Sequence, residues 1–155
     1  MAQVTPDHLK YKISNFDLEN FLDGKCNVWV YKDIRHDTTL NEMCKKYGCC
    51  IILAEGHWYC IIRHPRKHFE FFCSSGTHPE RWPKMIRLLY GANASKVEYN
   101  EHKLQSDEKD INTCGRHCAV RITFRKIPLQ KYVKMLKSTR FTPDEVCTYL
   151  TIQYA

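Results

Sequence analysis

Three apolar runs crowd into residues 49–73, and they constrain this chain more than anything else in it. Cys49–Ala54 reads Cys-Cys-Ile-Ile-Leu-Ala, an unbroken apolar segment of the kind that forms a strand buried on both faces. His57–Ile62 and His68–Cys73 follow as two further strands. The Pro65-Arg66-Lys67 segment between them is short enough for a hairpin turn. Together they predict an antiparallel core that the rest of the chain must cover.

The covering elements carry helix signals. Ser14-Asn-Phe-Asp17 has the shape of a capping box and predicts a short helix through Leu18 and Leu22 to Gly24. Asn27–Tyr31 reads as a strand. Thr39 with Glu42 three residues on is a second capping box, with its helix ending near Gly48. Pro79 opens a predicted helix carrying Trp82, Met85, Leu88 and Leu89 that stops at Gly91. Lys96–Tyr99 reads as extended. After the polar loop 105–110, helices are expected from about Cys114 to Phe124, near Leu129–Lys137, and at Pro143–Leu150 behind Thr142. The expectation is an α+β fold, a small central antiparallel-rich sheet flanked by helices, in one domain spanning residues 1–155.

Composition narrows the class. A chain of 155 residues with 43% apolar and 26% charged residues can hold its own core. It has no run of eighteen apolar residues and no apolar leader, so an intracellular protein that neither spans nor binds membrane is expected. Nine cysteines without a secretory leader read as free thiols, and Cys49, Cys50, Cys60 and Cys73 lie inside apolar runs as buried ones. No C-x-x-C pair occurs, and His57-x-x-Cys60 and His64-x-x-x-His68 are isolated pairs. Neither a zinc site nor any cofactor is expected. The formal charge of +7 makes an acidic partner such as nucleic acid plausible. His117, Arg121 and Arg125 fall at helical spacing and would form a basic stripe for it.

Two short motifs carry chemistry. In Asn112-Thr-Cys-Gly115 a polar loop passes directly into a helix. A thiol placed there sits at the positive end of the helix dipole, which favours thiolate, the nucleophilic form. The unpaired N–H groups of the first turn can bind an oxyanion, and Gly115 is expected to let substrate backbone approach. In Gly56-His57-Trp58 a histidine begins a core strand, at the rim of the sheet where a base reaches both thiol and substrate.

Gly56-His57-Trp58, the strand end Phe71-Phe-Cys-Ser-Ser-Gly76, Gln105 and Asn112-Thr-Cys-Gly115 occur in an order and spacing that resemble the adenain-like cysteine proteases. That family includes the adenovirus maturation protease, relatives in giant viruses, virophages and polinton-type elements, and the SUMO-specific proteases. The resemblance covers roughly residues 39–124. It implies an adenain-like fold with His before Cys in the chain, Cys114 as nucleophile and His57 as general base. It further implies Gln105 as a side-chain donor to the oxyanion hole and Trp58 packed near the histidine. Two positions depart from the pattern. Gln105 lies nine residues before the cysteine, slightly farther than usual. The family's acid position holds Cys73, in Phe72-Cys-Ser-Ser-Gly76. A carboxylate there would accept the imidazole Nδ1–H, whereas a thiol in an apolar strand is expected to stay neutral. Glu70 points to the opposite face by strand alternation, so a Cys114–His57 dyad with Cys73 packed beside it is expected.

The resemblance implies a maturation protease of a virus or mobile element. It would cleave capsid or core precursors in the host cytoplasm or nucleus and in the virion. Two alternatives stand beside it: a peptidase for ubiquitin-like modifiers, and an inactive nucleic-acid-binding module, which the missing acid would favour.

Overall fold

The computed structural model describes residues 3–154, with Tyr154 described by its backbone only. Its centre is a five-stranded sheet in the order β1 (Asn27–Val30), β2 (Cys49–Ala54), β3 (His57–His64), β4 (His68–Phe72) and β5 (Lys96–Tyr99). The three runs read from the sequence form its antiparallel middle, with Cys49 opposite Ile62 and Cys60 opposite Phe72. Both edge strands pair in parallel, so the sheet is mixed. A parallel neighbour needs a crossover. The chain between β1 and β2 supplies one, and the chain between β4 and β5 supplies the other.

Helices cover both faces. On one lie α5 (Cys114–Thr123), α6 (Leu129–Lys137) and α7 (Pro143–Leu150), with α2 (Asn15–Phe21) at the side. They meet Ile51, Trp58, Cys60, Ile62 and Phe72 of the sheet. On the other lie α3 (Leu40–Met43) and α4 (Pro83–Gly91), which pack Met43, Met85 and Leu88 on Ile52, Tyr59, Ile61 and Phe71. A sheet covered on both faces is why β2 reads as a continuous apolar run rather than an alternating one. A short helix not anticipated from sequence, α1 (Pro6–Lys10), precedes α2, with Thr5 and His8 forming its capping box.

Several boundaries differ from expectation. The helix behind Thr39 makes only its first turn: it ends at Met43, and the chain reaches the positive-φ Gly48 through Lys46, also at positive φ. Glu42 offers its N–H to Thr39, but the reciprocal half of the box does not form. The helix expected from Pro79 starts at Pro83, because Pro79–Arg81 is a 3-10 turn and Pro83 holds the first-turn position suited to proline. All nine cysteines are free and buried. Among the described residues no helix is long and apolar enough to cross a membrane.

The basic stripe on α5 does not exist as a surface. His117 and Arg121 are fully buried, and Arg125 is half-buried and bonds the Ile122 carbonyl. Arg121 makes a two-pronged pair with Glu70 of β4, Nε to Oε2 and Nη2 to Oε1, each at 2.7 Å. His64 adds a contact to the same carboxylate at 2.9 Å. Helical spacing shows that residues share a face, and here that face looks inward at a buried acid. Burial would raise the Glu70 carboxyl, but Arg121 and His64 outweigh it and hold the group below its usual range. Glu70 is thereby committed to α5, on the face away from Cys73, as strand alternation required.

Removing one partner from such a pair strands a buried charge, whereas replacing both with apolar groups does not. Arg121→Met is expected to lower stability by about 3–5 kcal/mol, read from urea unfolding. Glu70→Leu/Arg121→Met should recover most of that loss. An Arg121→Met midpoint equal to wild type would show that the pair does not hold α5 to the sheet.

Candidate active site

Strand direction brings three of the four sequence-identified residues to one end of the sheet. His57 is the first residue of β3. Cys73 follows the last residue of β4, and the two strands run antiparallel. Cys114 opens α5, which packs across the same strands. His57 Nε2 lies 3.2 Å from the Cys73 sulfur. The same imidazole is near enough to Cys114 to bring its thiol below the ordinary value, and the main-chain N–H of Trp58 donates to the Cys114 sulfur at 3.4 Å. One ring is therefore held between two thiols. The nitrogen at Cys73 is Nε2, not the Nδ1 expected, because the distal side of the ring is the one that reaches across to β4.

The electrostatics follow from that placement. Burial alone would pull the His57 imidazole down, but its bonds to Cys114 and Cys73 outweigh burial and push it up to about 10. For Cys114 burial would raise the thiol, yet His57, the Trp58 N–H and the Lys12 ammonium bring it below its ordinary value. Cys73 behaves similarly. Against burial, His57 and the main-chain N–H groups of Ser75 and Thr77 draw its thiol down to about 7. The neutral thiol expected from the apolar run is not what this environment favours. The run reports the strand, while the two N–H donors come from the turn after it.

Thr113 precedes α5 without capping it: its side chain makes no bond to the first turn. The hydroxyl instead donates to Asp144 Oδ1 at 2.5 Å. Asp144 also accepts the Ser106 N–H at 2.9 Å and meets His117 Nε2 at 2.8 Å. A carboxylate on α7, not singled out from sequence, thus ties the loop residue after Gln105 to the residue before Cys114. Burial lowers the His117 ring, but the Cys147 and Asp144 side chains around it push it up to about 10. His117 is a buried structural cation.

Gln105 is half-buried beside the Cys73 turn. Its N–H bonds the Ser74 carbonyl at 2.9 Å, and the Ser74 hydroxyl donates to its side-chain oxygen at 2.7 Å. That bond fixes the amide and leaves its two N–H donors available. Gly115 serves packing, not substrate. It is buried, and a Cβ there would come within 3.0 Å of the Trp58 ring and 3.3 Å of Ile13. The missing side chain lets α5 approach β3 closely enough for Cys114 to meet His57. Trp58 in turn donates its indole N–H to the Ile13 carbonyl at 3.3 Å.

No family model matches the sequence. The chain is 31% identical over 167 residues to the uncharacterized protein V9 of Sputnik virophage, across 92% of this chain and 95% of the relative.

Cys114 is expected to be the fastest of the nine thiols to react with a small alkylating agent at neutral pH. The His57→Ala substitution removes the contribution that lowers the thiol and keeps the burial that raises it, so the Cys114 ionisation should move upward. A shift of one pH unit makes reaction on the acid side about tenfold slower. Peptide mapping across pH 5–9 would check this. Labelling concentrated on Cys147 or Cys60, or a rate indifferent to His57→Ala, would contradict it.

Proposed function

The chain belongs to the family of the virophage protein V9, and on that premise we propose that it is a cysteine peptidase that processes virion precursor proteins. The observation that carries the proposal is the placement of the Cys114 thiol beside the His57 imidazole at one end of the sheet, with the nucleophile on the first residue of a ten-residue helix. The adenain-like motif order points to the same chemistry, and the relative's viral source suits a maturation role.

In this reading the Cys114 thiolate attacks the scissile carbonyl carbon. The developing oxyanion takes hydrogen bonds from the free N–H groups of the first turn of α5 and from the Gln105 amide. The His57 imidazolium gives its proton to the departing amine, leaving an acyl-thioester on Cys114. Neutral His57 then accepts a proton from water, whose oxygen attacks the thioester. Collapse of that adduct releases the carboxylate product and returns thiolate and imidazolium. Trp58 orients this unit from below, its main-chain N–H on the sulfur and its ring against Gly115.

An inactive nucleic-acid module is less well supported, since two of the three residues of the stripe that would have served it, His117 and Arg121, are buried in ion pairs. A ubiquitin-like-modifier peptidase would use the same machinery and differ only in substrate.

The test is to incubate the purified chain with capsid and core precursors from the same genome and read new termini by mass spectrometry. A ubiquitin-like C-terminal reporter runs in parallel. Precursor cleavage abolished by Cys114→Ala and by His57→Ala, with the double variant no worse than either, is the expected result. Gln105→Ala should cost on the order of 10²-fold in kcat. Cleavage of the reporter alone would move the substrate to modifiers. Cleavage that persists in Cys114→Ala would remove the proposal.

A further inference from the structure

Residues 9–13 of the N-terminal segment run alongside the nucleophile. Asn112, two residues before Cys114, holds this segment twice. Its N–H donates to the Leu9 carbonyl and its side-chain amide to the Lys10 carbonyl, each at 2.8 Å. At the other end the Ile13 carbonyl accepts the Trp58 indole N–H at 3.3 Å, and the Ile13 side chain is buried against α5 at Gly115. Lys12 stands between these two anchors, so its backbone is fixed although its side chain is exposed.

The Lys12 side chain reaches the end of the sheet that carries His57. Its Nζ lies 3.0 Å from the place a Cβ on Gly56 would occupy, and Gly56 directly precedes His57. Glu55 and Gly56 both adopt positive φ, 53° and 78°, in the tight turn between β2 and β3. A side chain at Gly56 would displace the ammonium, and glycine leaves it the space. The same charge is felt at Cys114, where it helps to draw the thiol down.

The ammonium has no acid of its own. Glu55, the carboxylate nearest to Gly56 in the chain, turns to Arg81 at 3.9 Å. Asp17 accepts the Tyr11 hydroxyl and the Ser14 N–H, each at 2.9 Å. Among the described residues Lys12 enters no ion pair. Surface lysines often lack a partner. This one differs in standing beside the nucleophile and its base, on a backbone held at both sides.

We propose that Lys12 is a carboxylate-recognition residue of the substrate cleft, which selects polypeptides carrying an acidic group beside the scissile bond. The substrate class rests on the peptidase reading; the affinity for a carboxylate at Cys114 does not. A compact ammonium on a flexible stem suits this task, since it can meet Asp, Glu or a chain terminus through charge-assisted bonds. It touches no reacting atom, so its effect falls on binding and appears in KM.

The experiment compares two alkylating agents on Cys114 in the full chain at neutral pH, read by peptide mapping. Iodoacetate carries a carboxylate and iodoacetamide is neutral. Both meet the same thiol, so a change in its ionisation cancels in the ratio of their rates. At low salt Lys12→Met is expected to lower the iodoacetate-to-iodoacetamide ratio about fivefold. Lys12→Glu should lower it further, and Lys12→Arg should keep it. The wild-type ratio should fall as salt rises from about 0.01 to 0.15 M, because an exposed charge is screened. A ratio equal in wild type and Lys12→Met overturns the proposal, and so does a Cys114 that neither reagent reaches. Neither reagent is a peptide. A chain that cleaves nothing yet keeps a Lys12-dependent ratio would therefore sink the peptidase reading and leave the carboxylate site standing. Where cleavage is measurable, peptides with Asp or Glu beside the cut should be favoured over their Asn and Gln counterparts through KM, and Lys12→Met should erase the preference. A peptide whose one carboxylate is its C-terminus, set against its amide, separates recognition of a chain end from that of a side chain. Cleavage indifferent to both kinds of carboxylate overturns the proposal.

Discussion

The buried pair between Glu70 and Arg121 is the constraint on which the geometry of this molecule depends. It joins the middle of β4 to the last full turn of α5 through two parallel bonds, which fix rotation as well as distance. The same guanidinium reaches the Phe124 and Ile127 carbonyls and so closes the end of α5 and the turn toward α6. A helix pinned in rotation at its C-terminal end has little choice about where its first residue faces. That residue is Cys114. The pair stands far along the helix from the thiol and touches neither Cys114 nor His57, yet it limits how α5 can present its first residue.

Asp144 performs the matching task at the other end of α5. Its two oxygens gather Ser106, Thr113 and His117, so α7 acts as a brace across the loop and the start of the helix. Burial would raise this carboxyl, but His117, Thr113 and the Ser106 N–H outweigh it and keep it ionised. Of the three fully buried cationic side chains on α5, His117 and Arg121 meet these two acids, and Arg116 donates to the Thr151 carbonyl and hydroxyl. Gly115 completes the arrangement by removing the one side chain that would hold α5 away from Trp58. Position at the site is thus set by three contacts of different kinds: an ion pair, a carboxylate hub and a close van der Waals approach.

Much of this was legible in the sequence, and the rest was hidden for physical reasons. The strands of the middle of the sheet announce themselves because burial on both faces demands unbroken apolar runs. The places of Cys114 at a helix start and His57 at a strand start could be read because helix N-termini and strand ends are local features. The parallel edges could not be read, since pairing direction depends on where the intervening chain travels. The α5 cations were misplaced because a spacing of four fixes a shared face but not what that face meets. One signal was present: Glu70, a lone acid inside His68–Cys73, implies a buried cation somewhere in the chain. The Asp144 hub joins residues from three separate segments, and no local pattern records that. Nor does an apolar strand reveal that His57 and the turn beyond its end bring the Cys73 thiol below its ordinary value.

A related point is how a half-buried histidine is accommodated at a strand end that carries no carboxylate. A buried positive ring needs a compensating charge or enough oriented donors and acceptors to replace water. At this sheet end the His57 ring has a sulfur on either side, and the Trp58 main-chain N–H donates to that of Cys114. Main-chain N–H groups cannot titrate away, and their direction is fixed by the strands and turns that carry them. The backbone therefore supplies the part of the electrostatics that a side-chain substitution cannot erode.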